Sequence, residues 1–215
     1  MIPYLSLVIQ GTGLTLLLWL CCSVISLAFG LIVGTVRAAE IRTAWIAPLL
    51  DGITMILRGV PLYAQLMIAY FAVPQMIGFA PSAFITGVTT LGLCSGAYAS
   101  EIIRGTFNSI DPGQWKASSV LGYTLWQQVR YILAPQVLRR ALPALTNEYL
   151  MVLKSTSLLG SIGLLELTKV GTNIMYRTFN PLPICLALAV IYLFFSGIGA
   201  LLCTAAERRF NAYTL

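Results

Sequence analysis

Asn147, Glu148, Met151, Lys154, Ser155 and Leu158 would fall within about a third of the circumference of a helix with 3.6 residues per turn. An amide, a carboxylate, an ammonium and a hydroxyl would then share one face of a largely apolar segment. Asp51, Arg58 and Gln65 recur at seven-residue spacing and would share another face, with Pro61 able to bend it. Thr90, Cys94, Tyr98 and Glu101 form a third stripe. Ionisable groups are costly in apolar segments and usually face a cavity or one another. Two roles are therefore open. Arg58, Glu101 and Lys154 can pair to hold a helical bundle together, which suits Glu101 and Arg104 near the end of their segment. The stripe from Asn147 to Leu158 suits a path for a polar solute.

What is missing narrows the chemistry. The chain has no histidine, which removes histidine metal sites, histidine-based triads and histidine proton relays. Its cysteines, Cys21, Cys22, Cys94, Cys185 and Cys203, form no CxxC pair and read as small apolar packers. Lys154 beside Ser155 is the one thin base–nucleophile candidate, and adjacent helical positions do not face each other. No GxxxxGK[ST] loop is present, so the chain does not hold nucleotide in the P-loop manner. A transporter built from it must draw energy from an ion gradient or from another subunit. We expect no catalysis and no bound cofactor or metal.

The elements that must position these residues are membrane spans. Of 215 residues, 58% are hydrophobic and only 9% charged, against roughly 25% charged in soluble domains. The net charge of +6 does not point to nucleic acid, because the basic residues form no aromatic-interleaved stripe. They lie between apolar runs, and no charge precedes Arg37. The absence of a basic leader region argues against a cleaved signal peptide. A crossing needs about 20 apolar residues for about 30 Å of hydrocarbon. Five spans are expected, at about 14–36, 46–79, 83–103, 141–165 and 183–206, in a single domain covering 1–215. Arg37 and Arg42 follow the first span, and Arg208 and Arg209 follow the fifth. Arg104, Lys116, Arg130, Arg139 and Arg140 separate the third from the fourth. The stretch from Pro74 to Pro81 is uncharged, and that around Lys169 and Arg177 carries two basic residues. The positive-inside rule then puts the N-terminus outside and the C-terminus inside. Gly30 with Gly34, and Gly92 with Gly96, are GxxxG pairs that fit either close packing within the chain or a dimer face.

On the cytoplasmic side this topology leaves a polar interruption, Asp111–Pro143, with its core at about 111–135. Asp111 can cap a helix with Pro112 first and Gln114 reaching back. Gly122 suits a left-handed stop. Thr124 and Gln127 make a second capping box, opening a helix that Pro135 should limit or kink. Two capped helices around a glycine elbow make a knob fit to dock.

The stretch Gly113–Gln114–Trp115–Lys116–Ala117–Ser118, followed by Leu121–Gly122 and Ala134–Pro135, resembles the EAA loop of ATP-binding-cassette importer permeases. Leu57–Arg58–Gly59–Val60–Pro61–Leu62, Ala97 through Gly105, Ala141–Leu142–Pro143 through Asn147, and Leu153 through Leu158 resemble the polar amino acid branch of that family. The likeness runs in order along nearly the whole chain. It implies an all-α, type I importer permease in the bacterial inner membrane. Gln114, Trp115, Lys116, Ala117, Ser118, Leu121 and Gly122 would couple it to a cytoplasmic ATPase dimer. ATP and magnesium would sit on that partner. A second permease, identical or homologous, and an extracytoplasmic amino-acid-binding protein complete the implied assembly.

Two positions depart from the family pattern, with Lys116 where glutamate is usual and Ser118 where alanine is. Lys116 fits either an acidic spot in the partner's groove or lipid headgroups. For an amino acid substrate, the candidate path residues are Arg58, Gln65, Tyr98, Glu101, Asn147, Glu148, Met151, Lys154 and Ser155. Glu148 and Lys154 are the expected partners of its ammonium and carboxylate. An ion-coupled secondary transporter or channel is the alternative, but it usually shows paired repeats, and none is visible here.

Overall fold

The computed structural model describes residues 4–42 and 44–211; for Cys203 and residues 206–211 it describes the backbone alone, so the side chains of Cys203, Arg208 and Arg209 lie outside the described set. Among the described residues eight helical elements follow one another: α1 Leu5–Val36, α2 Ile46–Gly59, α3 Leu62–Ile77, α4 Ala83–Asn108, α5 Pro112–Val120, α6 Leu125–Ile162, α7 Leu167–Thr178 and α8 Pro181–Asn211. Among the described residues there is no strand.

Two helices, Leu5–Val36 and the Pro181–Leu202 part of α8, are each long and apolar enough to cross a bilayer, and the bent pairs α2–α3 and α6–α7 bring the number to four. The remaining expected span, α4, has 26 residues, about 39 Å at 1.5 Å per residue. It is less apolar because its glycines, serines and threonines are buried against other helices rather than lipid. Several expected boundaries shift. The first helix starts at Leu5 rather than near position 14, since nothing polar enough to stop it lies between. The fourth span begins inside the knob, at Leu125, and ends at Ile162. The stretch around Lys169 and Arg177, expected to be a loop, is helix α7.

The core is the pair α1 and α4, which run parallel and in step. Ser26 meets Ser95, Gly30 meets Ala99, and Gly34 meets Ile103, one turn after another. A Cβ on Gly30 would lie 2.6 Å from that of Ala99, and one on Gly34 2.6 Å from the Ser100 carbonyl oxygen. From the other helix, Gly92 abuts Ile25 and Gly96 abuts Phe29. Both GxxxG pairs are thus used inside the chain. The indole of Trp19 donates to the Tyr149 carbonyl at 2.8 Å, tying α6 to the middle of α1.

The second span is not one helix but two, bent by 101°. Pro61 has no N–H to continue α2, and it drives Val60 into an extended conformation (φ −89, ψ 133). Carbonyls freed by such a break must find partners when no water is at hand. Gln65 donates its amide to both Leu57 and Val60 at 2.8 Å. From α4, the Cys94 thiol donates to Leu57 at 3.4 Å and the Tyr98 hydroxyl to Arg58 at 3.2 Å. The α6–α7 pair is bent by 53°. There Gly163 is left-handed (φ 91), and Glu166 accepts from the Thr168 and Lys169 amides at 2.8 and 2.6 Å.

Two π-helical turns, Ile68–Ala72 and Gln128–Leu133, each lie just before a proline, Pro74 and Pro135. A proline ring inside an α-helix collides with the carbonyl one turn back, and a wider turn relieves that crowding. Of the two expected outcomes at Pro135, a limit or a kink, the first does not occur: α6 continues through it, with the π turn just before it.

Candidate functional site

Where α2 breaks, the arginine end of α2, the start of α3, one face of α4 and one face of α6 enclose an open cavity of about 510 Å³. Arg58, Ser95, Tyr98, Glu148, Met151 and Ser155 give it polar or polarisable walls, and Pro61, Leu91 and Val152 apolar ones. The break makes the cavity: a straight second span would fill this space with its own helix.

Glu148 accepts from the Ser95 hydroxyl at 2.8 Å, and Ser95 lies 2.9 Å from Ser26. With its single proton given to Glu148, Ser95 must accept from Ser26, so a hydroxyl relay from α1 through α4 orients the carboxylate. Among the described residues Glu148 makes no ion pair. Arg58, which lines the same cavity from the end of α2, lies 3.1 Å from Glu101. It is one of three arginines on that carboxylate, with Arg37 at 2.6 Å and Arg104 at 2.7 Å. Arg37 and Arg42 also pair with Asp51, at 2.7 and 2.8 Å. Four guanidiniums thus share two carboxylates at the ends of α1, α2 and α4, and the cluster carries a surplus of positive charge facing the cavity through Arg58. Arg37, only 4% exposed, is part of this lock rather than a free loop charge.

Of the nine path candidates, the structure brings Arg58, Tyr98, Glu148, Met151 and Ser155 together. Gln65 does not line the cavity; its amide caps the broken helix. Glu101 sits behind Arg58 in the ion cluster. Asn147 and Lys154 are exposed on α6 and do not line the cavity, so Glu148 shares it with Arg58 and not with Lys154. Lys154 has no ion-pair partner among the described residues, so the expected Arg58–Glu101–Lys154 cluster forms without it. Sequence reasoning also missed Glu166, fully buried, which caps α7 and receives the Tyr192 hydroxyl at 3.3 Å. Its only sequence signal is a cap-capable residue three positions after Gly163.

The knob folds largely as its caps dictate. Asp111 accepts from the Gly113 amide at 2.7 Å, Gly122 is left-handed (φ 80), and Thr124 with Gln127 closes a reciprocal capping box. Gln114 does not reach back to cap; its side chain accepts from Gln136 on α6 at 2.8 Å and fixes α5 against the longer helix. Trp115 and Ser118 turn inward, while Lys116, Ala117, Val120 and Leu121 are exposed. Val120 (88% exposed), Leu121 and Trp126 present an apolar tip. Lys116 lines a cleft beside it with Glu40, Trp115 and Gln128.

Apolar spans broken around a polar cavity, with a capped knob between the third and fourth spans, define the permease subunit of an ABC importer. The chain belongs to the family of binding-protein-dependent transport system inner membrane components, whose model matches residues 26–212. It is 37% identical over 210 residues to the glutamine transport system permease protein GlnP of Escherichia coli (strain K12), covering 96% of this chain and 94% of that one. It is 32% identical over 212 residues to the arginine transport system permease protein ArtQ of Bacillus subtilis (strain 168), covering 98% and 95%. The crystal structure of an amino acid ABC transporter with histidines superposes with a TM-score of 0.87 at 31% identity, covering 97% and 96% of the two chains. An inward-facing MetNI methionine ABC transporter shares the fold, with a TM-score of 0.85 at 19% identity over 97% and 98%. The protein is an integral inner-membrane transport subunit with the type I importer fold, and these findings do not favour a secondary transporter or channel.

Proposed function

We propose that this chain forms half the pathway of an ATP-driven importer of polar amino acids, which are held between Glu148 and Arg58. The observation that carries this reading is that one cavity is lined both by Glu148, which has no ion-pair partner among the described residues, and by Arg58. A zwitterion needs that pair: Glu148 takes the ammonium, and Arg58 takes the carboxylate, because Glu101 retains Arg37 and Arg104. The printed names of the glutamine and arginine relatives support the same substrate class. A separate binding protein delivers the substrate, and a cytoplasmic ATPase dimer holding ATP and magnesium drives two knobs, one per permease. The chain itself makes and breaks no covalent bond. Its N-terminus lies outside, its C-terminus inside, and alternating access exposes the cavity to each side in turn.

Uptake of labelled glutamine and arginine into vesicles containing permease, ATPase and binding protein tests this. Losing a hydrogen bond to a charged group costs about 1.5–3 kcal/mol. Glu148→Gln and Arg58→Gln should therefore each lower uptake about 10- to 100-fold while the complex still assembles. Unchanged uptake in both would overturn the reading. Lys116 faces an acidic spot on the ATPase in this scheme. Lys116→Glu should weaken co-purification of the two subunits at low salt more than at high salt; equal recovery at both would assign Lys116 to headgroups instead.

A further inference from the structure

We propose that Lys154 serves the Glu148 cavity of a second copy of this chain, so that two permeases meet across a two-fold axis with reciprocal Lys154–Glu148 pairs. The pairing stands on the placement of charges; its consequence for transport rests on the reading of the cavity given above.

Arg140, Ala144, Asn147, Met151 and Lys154 form an exposed stripe along α6. Among the described residues nothing covers this stripe, yet it is not made for lipid. Lys154 lies well within the bilayer, since its near neighbour Val152 packs with Leu18 of α1 and Leu91 of α4. A lysine facing hydrocarbon at that depth is costly, so intramembrane lysines face protein or a water-filled path. Lys154 and Glu148 are thus two intramembrane charges of opposite sign, each without an ion-pair partner among the described residues. They cannot serve each other within one copy. Six positions on a helix separate them by about 9 Å of rise and about 240° of rotation, whereas side chains meet at spacings of three or four.

A two-fold axis resolves the mismatch, because in such an interface each copy supplies what the other lacks. The cavity opens toward the stripe: Met151 lines it and is also 57% exposed. A facing copy laid along α6 therefore meets the cavity mouth. Its lysine balances Glu148 while the cavity is empty, and the ammonium of an arriving amino acid takes that place. Substrate entry and the contact between the two copies are then linked through one carboxylate.

Trans pairing has a signature that no contact within one copy can imitate. Two differently tagged chains are co-expressed with the ATPase, one carrying Lys154→Glu and the other Glu148→Lys. Each self-pair sets like charges against each other at both contacts, whereas the mixed pair has opposite charges at both. Sequential affinity steps should recover mixed over self pairs at about ten-fold or more above the statistical ratio. Recovery at that statistical ratio overturns the proposal. Should the charge variants fail to assemble, Lys154→Cys and Glu148→Cys are placed in separate chains whose native cysteines are changed to alanine. A short bis-maleimide should join the two copies. Labelling of Lys154→Cys by a lipid-soluble maleimide with no inter-copy product would instead put this residue among lipids. Preference for mixed pairs together with normal uptake by Glu148→Gln would retire the substrate reading and leave the pairing standing.

Discussion

Glu101→Leu is expected to lower the stability of the detergent-solubilised permease by about 1.5–3 kcal/mol, the scale of hydrogen bonds to charged groups lost at a partly buried site. One carboxylate oxygen accepts from Arg37 at 2.6 Å and faces Arg58 at 3.1 Å, and the other accepts from Arg104 at 3.0 and 2.7 Å. Without it, three guanidiniums on three helices lose their common anion, and buried Arg37 keeps only Asp51 and the Ser100 hydroxyl. Arg104→Leu removes a partly exposed member of the same group and leaves Glu101 two arginines, so its effect should stay within about 1 kcal/mol. The midpoints of thermal unfolding, followed by circular dichroism, compare the two. Equal shifts would mean that the cluster does not hold α1, α2 and α4 together.

Gly34→Leu should cost more than about 3 kcal/mol and leave little folded protein, beyond the usual range for overpacking. The first added carbon alone would sit 2.6 Å from a backbone oxygen of α4 and 2.7 Å from Ile103 Cβ. A backbone oxygen cannot rotate aside, so the helices must part. Parting them also opens the Gly30–Ala99 and Ser26–Ser95 contacts that follow in step. Gly13, on the same helix, has nothing within 4 Å of an added Cβ. Gly13→Ala should be neutral or stabilising by up to about 1 kcal/mol. Size-exclusion profiles after solubilisation report both outcomes, and a monodisperse Gly34→Leu protein at normal yield contradicts the packing described.

Local signals in the chain were readable where the physics is local. The Asp111 cap, the left-handed Gly122 and the Thr124–Gln127 box depend on neighbours within a few residues, and all three form. Pro61 was visible as a possible bend, but its 101° size depends on Gln65, Cys94 and Tyr98 being at hand to take the freed carbonyls, two of them from another helix. Pro135 was readable as a limit or a kink, but the π turn that lets the helix continue leaves no mark in composition. Gly30 and Gly34 fitted two kinds of partner equally well, and only the parallel register with α4 decides between them. Lys154 shared a helical face with Glu148 on paper, but a face about 120° wide is broad enough to be divided between a cavity and an exposed surface. Glu166 lies in no pattern, and its role arises from a helix start that tertiary packing creates.

Helix α6 runs unbroken from Leu125, beside the exposed Trp126, through Glu148 to Ile162. Its α-helical stretch Ala134–Ser155 has 22 residues, about 33 Å at 1.5 Å per residue. A displacement imposed at the knob would therefore be carried to the cavity wall along continuous helical backbone. The π turn before Pro135 sets the phase of that helix: each inserted or deleted residue there would rotate Glu148 by about 100° relative to Trp126.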